Sequence, residues 1–275
     1  MPQQRAMTDR YAVIGHPVAH SKSPQIHRRF AAQTGQDLHY DALLAPLDGF
    51  AETVRGFIAD GGCGLNVTVP FKEEAYRLVT RLTDRARAAG AVNTLSFRHG
   101  EILGDNTDGA GIVRDIRVNL AQEIAGRRVL LLGAGGAARG SVLPLLQEAP
   151  ACLVIANRTA ARARTLAEAL AAHGKLRGCG FAELSGQSFD IVINATSAGL
   201  SDAAPEIPDG VFAPDCLAYD MLYGRETPFM AQARRAGARV SDGLGMLVEQ
   251  AAEAFLVWRG LRPDTLAVLA ELRRS

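Results

Sequence analysis

The stretch VLLLGAGGAARG, Val129 to Gly140, constrains the fold more than any other part of the chain. An apolar run leads into a glycine-rich turn that starts at Gly133, and the residues after the turn are typical of a helix. This order of strand, glycine turn and helix is that of the dinucleotide-binding turn in α/β domains. Gly133 permits the tight turn, Gly135 lets a pyrophosphate approach the backbone, and the N–H groups that open the helix attract the anion. A tight turn that binds no ligand is the alternative interpretation.

The end of the next apolar run, CLVIAN, indicates which dinucleotide binds. A site for NAD usually carries an acid about 20 residues after the glycines, where it bonds the ribose 2′-hydroxyl. This chain has Asn157, Arg158 and Thr159 there, with Arg162 one helical turn further on. Guanidinium groups suit a dianionic 2′-phosphate, which a carboxylate would repel. The sequence therefore favours NADP over NAD; an arginine that merely opens a solvated helix is the alternative.

Short apolar runs alternate with helical patterns along the chain, as in YAVIG followed by PQIHRRFAAQTG. This βαβα order predicts an α/β fold with mainly parallel sheets covered by helices. A second series of runs starts at Arg127, so we predict two α/β domains, residues 1–107 and 108–242, the second of Rossmann type. Between the two series, RHGE is typical of a hairpin turn, and DNTDG leads into a helix at Gly109.

Composition excludes several classes of function. Lys and Arg number 30 against 29 Asp and Glu, a net charge of +1, so we expect binding neither to nucleic acid nor to an anionic membrane. The apolar runs are too short to cross a bilayer, and MPQQRAMTDR lacks the apolar core of a secretion signal, which predicts a cytoplasmic protein. The four cysteines form no C-x-x-C pair and are interpreted as buried free thiols.

The stretch HSKSPQIH is a candidate anion site. Ser23 stands before Pro24, the pair expected at the N-cap and first position of a helix. Ser21 and Ser23 are two residues apart in an extended approach, so both hydroxyls face the positive end of the helix, where a substrate carboxylate would bind. Helix capping alone explains Ser23 equally well. His16 and His20 lie four apart, but no acidic cluster completes a metal site, so none is predicted.

Taken in order, the motifs of the chain resemble those of the shikimate dehydrogenase family. They run from VIGHPVAHSKSP through LNVTVPFKEEAY, GAVNTL, DNTDG, GAGGAARG, NRT, NATSAG and YDMLYGRETPF to DGLGMLVEQAA. The resemblance implies an NADP-dependent enzyme that reduces 3-dehydroshikimate to shikimate on the route to chorismate and the aromatic amino acids. It also implies that residues 1–107 bind the substrate, that helices of residues 243–275 pack back on them, and that the substrate lies in a cleft between the domains.

The resemblance assigns roles to individual residues of this sequence. Lys72 and Asp108 would form the catalytic pair and would also contact the substrate. The other substrate contacts would be hydroxyl and amide side chains, namely Ser21, Ser23, Asn66, Thr68, Asn93, Tyr223 and Gln250. The cofactor contacts would be Gly133, Ala134, Gly135, Gly136 and Ala137 at the pyrophosphate, Asn157, Arg158, Thr159 and Arg162 at the adenosine phosphate, Met221 and Gly243 near the nicotinamide, and Asp84.

Ketone chemistry explains why a lysine would stand in LNVTVPFKEEAY. Hydride delivery to a ketone leaves negative charge on its oxygen, and an ammonium group supplies both a proton and positive charge there. A solvated surface lysine is the alternative interpretation of Lys72, as helix capping is for Asp108. The alternative functions are a dual quinate/shikimate dehydrogenase and a non-catalytic NADPH-binding regulator on the same fold. We expect a small-molecule substrate and a monomer or homodimer.

Overall fold

The computed structural model describes residues 8–196 and 203–274, and its chain forms two compact units. The first unit comprises Met1–Thr107 and Ala251–Ser275, and the second unit comprises Asp108–Gln250. The end of the NATSAG motif, residues 197–199, lies outside the described residues. Strands and helices alternate in both units, so the predicted α/β fold with two domains is confirmed.

The first unit is built on a six-stranded mixed sheet. Its strand order is β2-β1-β3-β5-β6-β4, and three of its five pairings are parallel, whereas β5 is antiparallel to both of its neighbours. The strands are β1 (Asp9–Gly15), β2 (Leu38–Leu44), β3 (Gly62–Val67), β4 (Arg81–Leu82), β5 (Thr94–Arg98) and β6 (Glu101–Asp105). The helices between them are α1 (Ser23–Thr34), α2 (Phe50–Ala59), α3 (Lys72–Leu78) and α4 (Asp84–Ala89).

The hairpin predicted at RHGE is confirmed as the turn between β5 and β6. Its two loop residues, His99 and Gly100, have φ angles of 53° and 77°, as two-residue hairpin turns require. The resulting register places Thr94 opposite Asp105 on one side and opposite Asn66 on the other. Three polar residues therefore lie side by side across the sheet.

Side chains of β1 alternate between two apolar clusters on opposite faces of this sheet. Ile14 belongs to a cluster with Leu65, and Val13 belongs to another with Tyr40 and Trp258. A strand buried on both faces in this way reads as a continuous apolar run, which is why YAVIG was recognisable as a strand.

The second unit is built on a six-stranded sheet in which every pairing is parallel. Its strand order is β12-β11-β10-β7-β8-β9, so the direction in which strands are added reverses between β7 and β10. Ligands of such sheets bind at the carboxyl ends of the strands beside this switch point. The strands are β7 (Arg128–Leu132), β8 (Cys152–Asn157), β9 (Leu176–Gly180), β10 (Phe189–Asn194), β11 (Phe212–Asp220) and β12 (Arg239–Ser241). The helices of this unit are α5 (Asp108–Arg114), α6 (Gly136–Gln147), α7 (Ala160–Leu170) and α8 (Pro228–Arg235). The long helix α9 (Leu244–Arg259) begins in this unit and ends in the first unit. The last helix, α10 (Leu266–Leu272), belongs to the first unit.

Two helix starts differ from the sequence prediction by one residue. α1 begins at Ser23 itself, and its N-cap is Lys22, because the Ser21 hydroxyl accepts a hydrogen bond from the Ser23 N–H at 3.3 Å. The expected cap role of Ser23 is therefore wrong. α5 begins at Asp108 rather than at Gly109, which puts an acid in the first turn, where the helix dipole favours it.

Three further expectations concern single residue types and segments. All four cysteines are free thiols, but only Cys179 and Cys216 are buried, so burial was wrongly predicted for Cys63 and Cys152. None of the helices in the described ranges is long and apolar enough to cross a membrane. Within residues 8–196 and 203–274, no three His, Cys, Asp or Glu side chains form a group that could hold a metal ion.

Candidate active site

A cavity of about 700 Å³ in the second unit collects nine of the residues predicted to bind the cofactor. It lies where β7, β8 and β10 end, beside the switch point of the sheet. The nine residues are Gly133, Ala134, Gly135, Gly136, Ala137, Asn157, Arg158, Thr159 and Arg162. The two sequence stretches that were interpreted separately, the glycine turn and NRT, therefore border the same space.

The glycine turn leaves this space open to a ligand. Gly133 has a φ angle of 110°, and a Cβ atom there would lie 3.0 Å from the Ala195 carbonyl oxygen, so the turn requires glycine. A Cβ atom at Gly135 or Gly136 would meet nothing within 4 Å. Because α6 begins at Gly136 behind an N-cap without a side chain, its first N–H groups face this space uncapped. The arrangement fits the pyrophosphate of a dinucleotide.

The turn between β8 and α7 holds two arginines at the edge of the cavity. The Asn157 side-chain amide and the Arg162 backbone N–H both donate to the Thr159 carbonyl oxygen at 3.0 Å, which fixes the turn. Arg158 and Arg162 line the cavity on this turn. A pair of guanidinium groups in this place fits the 2′-phosphate of NADP.

The lining of the cavity includes residues that the sequence reasoning missed, among them Phe181, Thr196 and Glu206. Thr196 carried a signal, since it belongs to the NATSAG motif and follows the end of β10. Its hydroxyl donates to Asn194 Oδ1 at 2.7 Å. Phe181 and Glu206 follow less distinctive stretches, and only the three-dimensional arrangement of the strand ends reveals them.

Met221 and Gly243 lie together but outside the lining of this cavity. A Cβ atom on Gly243 would lie 2.2 Å from the Met221 carbonyl oxygen, so the close approach of these two chain segments requires glycine. The Gly243 N–H donates to the Leu222 carbonyl oxygen at 2.9 Å. Tyr223, the next residue, is half-buried, and burial raises the pKa of its phenol.

In the first unit, the predicted anion site has Ser21 and Ser23 at the start of α1. The Ser21 hydroxyl accepts the Ser23 N–H ahead of the helix, whereas Ser23 lies in the first turn and is only 6% exposed, so capping does not explain its hydroxyl. Burial raises the pKa of Tyr40 well above its ordinary value, and a hydrogen bond with Ser23 opposes this increase. The Ser23 hydroxyl is therefore part of a buried polar network.

Asn66 and Asn93 are the centre of this network. The Tyr40 hydroxyl donates to Asn66 Oδ1 at 2.7 Å, and Asn66 Nδ2 donates to the Thr94 hydroxyl at 3.2 Å. Asn93 Nδ2 donates to the Thr107 hydroxyl at 3.0 Å, and Asn93 Oδ1 accepts the Thr107 N–H at 2.8 Å. Tyr40, Thr94 and Thr107 were not predicted. Thr94 and Thr107 stand in the GAVNTL and DNTDG motifs, whereas Tyr40 carried no local signal.

Thr68 and Lys72 follow the end of β3, the strand that carries Asn66. The Thr68 N–H donates to the Ile14 carbonyl oxygen at 2.9 Å, which ties the segment to β1. Lys72 is the first residue of α3 and is half-buried, and its carbonyl oxygen accepts the Val92 N–H at 2.9 Å. A lysine at this end of a helix is opposed by the helix dipole, so the dipole of α3 does not explain why a cation stands there.

Asp84 belongs to the first unit, whereas the other predicted cofactor residues belong to the second. It is the first residue of α4, its side chain is 95% exposed, and it pairs with Arg87 at 2.8 Å. An exposed ion pair of this kind stabilises a helix by at most about 1 kcal/mol. A cofactor contact by Asp84 stays a prediction.

Asp108 and Gln250 were predicted to contact the substrate, and both stand on helices of the second unit. Asp108 is 5% exposed and opens α5. A Cβ atom at the following Gly109 would lie 2.3 Å from the Gly140 carbonyl oxygen, so α5 packs closely on α6. A Cβ atom at Gly111 would lie 2.7 Å from the Gln250 Cβ, so the same short helix also packs against α9.

The fold and the cavity together define a class: a two-unit α/β protein whose second unit is a dinucleotide-binding domain, as in nicotinamide-dependent oxidoreductases. Three family models match successive parts of the chain, the shikimate dehydrogenase substrate binding domain over residues 13–95, shikimate/quinate 5-dehydrogenase over residues 116–201 and the shikimate 5′-dehydrogenase C-terminal domain over residues 243–273. The curated shikimate dehydrogenase (NADP(+)) of Dechloromonas aromatica is 64% identical over 97% of this chain and 98% of its own length. The chain belongs to the shikimate dehydrogenase family.

Further proteins are similar to almost the whole chain. The shikimate dehydrogenase (NADP(+)) of Herminiimonas arsenicoxydans is 63% identical over 97% of this chain and 98% of its own length. Among solved structures, an Ael1 enzyme from Pseudomonas putida is 51% identical with a TM-score of 0.92, covering 96% of this chain and 98% of that one. A shikimate 5-dehydrogenase from Thermus thermophilus in complex with NADP(H) and shikimate is 34% identical with a TM-score of 0.85, covering 97% and 99%.

Proposed function

We propose that this protein catalyses the reversible, NADPH-dependent reduction of 3-dehydroshikimate to shikimate, a step toward chorismate and the aromatic amino acids. The observation that carries the proposal is the shared cavity of the glycine turn, Arg158 and Arg162, because it combines an open pyrophosphate site with a site for a 2′-phosphate. The identity of the substrate is inferred from the family to which the chain belongs. Curated members at 64% and 63% identity carry this activity and this cofactor in their names.

The residues of this chain have distinct parts in the proposed reaction. NADPH, when bound, supplies the hydride. Lys72 donates the proton to the ketone oxygen and stabilises the negative charge that grows there, and Asp108 orients that ammonium group. Ser21 and Ser23 bind the substrate carboxylate with Tyr223. Hydrogen bonds from Asn66, Thr68, Asn93 and Gln250 hold the ring hydroxyls.

The buried network around Asn66 and Asn93 supports this division of roles. A polyhydroxylated ring needs donors and acceptors in fixed directions, and each of these two amides is already held by at least two hydrogen bonds. Side chains held in this way lose little further freedom when a ligand binds, which favours affinity. We assign Met221 and Gly243 to the nicotinamide end of the cofactor and Asp84 to a peripheral contact.

The location and assembly of the protein are also part of the proposal. We place the reaction in the cytoplasm, and we expect a monomer or a homodimer that binds small molecules only. Cell fractionation with an antibody to the protein, and its mass by light scattering at micromolar concentration, check these two points. Recovery of the protein mainly with membranes, or as a larger assembly, would contradict them.

The test of the function is the oxidation of shikimate with NADP, followed by absorbance of the reduced cofactor. We expect turnover in the wild type, and a loss of kcat on the order of 10²- to 10⁴-fold in Lys72→Ala. Lys175→Ala is the matched control, because Lys175 is exposed in the second unit, and it should keep wild-type activity. Absence of turnover in the wild type would refute the proposal.

Substrate and cofactor preference separate the alternative functions. Rates should be higher with shikimate than with quinate and higher with NADP than with NAD, because the two arginines at the cavity favour a 2′-phosphate. Equal rates on both acids would instead support a dual quinate/shikimate dehydrogenase. Tight NADPH binding without turnover on either acid would support a regulator.

A further inference from the structure

Asp220, the last residue of β11, is a buried carboxylate that has no assigned role in the proposed reaction. It has no exposed surface, and within residues 8–196 and 203–274 no Lys or Arg side chain forms an ion pair with it. Burying a charge without a counter-ion is costly, and the cost is offset here by three hydrogen bonds from neutral donors. A carboxylate kept in such a place needs an explanation beyond stability.

All three partners of Asp220 donate to it. Its Oδ1 accepts the Leu222 N–H at 3.0 Å, and its Oδ2 accepts the Asn194 side-chain amide at 3.1 Å and the Thr227 hydroxyl at 2.6 Å. The Thr227 hydroxyl donates in this bond, because a carboxylate only accepts, and the same hydroxyl accepts the Met230 N–H at 3.3 Å as the cap of α8. An asparagine at position 220 would place an NH₂ group against a donor, so only a carboxylate satisfies all three partners.

The peptide units around Leu222 are thereby fixed from two sides. Its N–H is held by Asp220, and its carbonyl oxygen accepts the Gly243 N–H at 2.9 Å. The residues on either side of Leu222 are Met221, which we assign to the nicotinamide, and Tyr223, which we assign to the substrate. One short stretch of backbone therefore sets the positions of two groups that serve the two reacting molecules.

The residue before Asp220 anchors the same strand end on the other face of the sheet. The Tyr219 hydroxyl donates to Asp115 Oδ2 at 2.6 Å and accepts the Met246 N–H at 3.3 Å. Burial and the Asp115 carboxylate both raise the pKa of Tyr219 well above its ordinary value, so this phenol remains a donor. With both of its last residues held, the end of β11 is a rigid base for the stretch 221–223.

We propose that Asp220 is a positioning residue that sets the geometry of hydride transfer by fixing the Leu222 peptide between the nicotinamide-binding and substrate-binding residues. The inference rests on the proposed function. It predicts that loss of the Asp220 carboxylate leaves the fold intact. The hydride-donating nicotinamide is then displaced relative to the ketone carbon that accepts the hydride. A displacement of about 1 Å costs on the order of 10²-fold in rate.

The test compares Asp220→Asn with Asp190→Asn in the full-length protein. Asp190 is a carboxylate near the opposite end of the same sheet, where it pairs with Arg128 at 2.8 Å. With 3-dehydroshikimate and NADPH deuterated at the transferred position, Asp220→Asn should lower kcat about 10- to 100-fold and raise the kinetic isotope effect. In the free protein, the Leu222 amide should exchange its hydrogen at least about 10-fold faster, since it has lost its acceptor. Asp190→Asn should match the wild type in all three measurements.

Each outcome decides the question. A smaller folded fraction would lower kcat without changing the isotope effect, so an unchanged isotope effect in Asp220→Asn overturns the proposal. A raised isotope effect without faster exchange at Leu222 overturns it as well, because Asp220 would then not act by fixing the Leu222 peptide. A wild type without turnover is a different result and refutes the proposed function.

A second pair of variants applies if Asp220→Asn does not fold. Thr227→Ser retains the hydroxyl that donates to Asp220, and Thr227→Val removes it. In the valine variant, the isotope effect should rise and the Leu222 amide should exchange faster, both by less than expected for Asp220→Asn. The serine variant should behave as the wild type. Equal behaviour of the two variants overturns the proposal.

Discussion

Each of the two candidate catalytic side chains is the first residue of a short helix, one in each unit. A negative charge suits that position, whereas a positive charge does not. Lys72 opens α3 in the first unit, and Asp108 opens α5 in the second, each helix being seven residues long. The N-terminal end of a helix favours an acid and disfavours a base. The helix dipole therefore favours Asp108 and disfavours Lys72, so a functional role is the better explanation of the lysine and must be tested for the aspartate.

The units also differ in how they present the residues predicted to bind the substrate and the cofactor. The first unit uses buried side-chain hydrogen bonds, as between Tyr40 and Asn66 or between Asn93 and Thr107. The second unit presents backbone groups at strand ends, with the glycine turn as the main example. Substitutions in the two units should consequently fail in different ways.

The largest expected effect separates the two explanations of Asp108. Asp108→Asn should reduce turnover with shikimate on the order of 10²-fold or more, the usual scale for an acid–base partner. If the carboxylate only favours the helix start, the cost is instead below about 1 kcal/mol of stability, and turnover stays near the wild-type value. Steady-state rates together with thermal unfolding of the same preparation distinguish these results.

A smaller effect is expected at the cofactor cavity of the second unit. Arg158→Ala should raise the KM for NADP on the order of 10-fold, because a charge-assisted hydrogen bond contributes about 1.5–3 kcal/mol. The KM for NAD, which lacks the 2′-phosphate, should change little. Arg164→Ala is the control, because Arg164 lies on α7, pairs with Glu183 at 2.8 Å and does not line the cavity. An equal change for both cofactors would mean that Arg158 does not contact the 2′-phosphate.

The contrast between the units also explains how much the sequence could predict. The glycine turn was predictable to the residue, because its requirement is a backbone conformation, seen in the φ angle of 110° at Gly133. The Tyr40–Asn66 hydrogen bond was not predictable, because it depends on β2 and β3 both flanking β1, and chain-local patterns do not contain that order. Ser23 was expected to be the N-cap of α1, but the helix begins one residue earlier than that, at Ser23 itself. The reason is local, because the Ser23 N–H donates to the Ser21 hydroxyl.

A pH-dependent effect of intermediate size is expected in the first unit. Burial alone would raise the pKa of Asp105, but hydrogen bonds and charge from Arg85, at 2.6 and 2.7 Å, hold that pKa below its ordinary value. A carboxyl whose folded-state pKa is lowered stabilises the fold above its unfolded-state value of about 3.9, and the contribution is lost as pH falls through the folded-state value.

Chemical unfolding between about pH 6 and pH 2.5 measures this contribution. The wild type should lose more stability than Arg85→Met over that interval, because the variant lacks the guanidinium that holds the pKa of Asp105 below its ordinary value. Arg81→Met is the control, since Arg81 pairs with Glu101 at 3.3 Å on the exposed surface. Parallel pH profiles for all three proteins would mean that the Arg85–Asp105 pair does not couple protonation to folding.

The smallest expected effect tests the opening comparison directly, through stability alone. Lys72→Gln removes a cation from the positive end of α3, whereas Asp108→Asn removes an anion from the positive end of α5. The first substitution should therefore raise the free energy of unfolding by about 0.3–1 kcal/mol, and the second should lower it by a similar amount. Urea unfolding at low ionic strength measures both, and added salt should reduce the two differences together. A Lys72→Gln protein less stable than the wild type would mean that the lysine contributes to the fold, and its position would then no longer argue for catalysis.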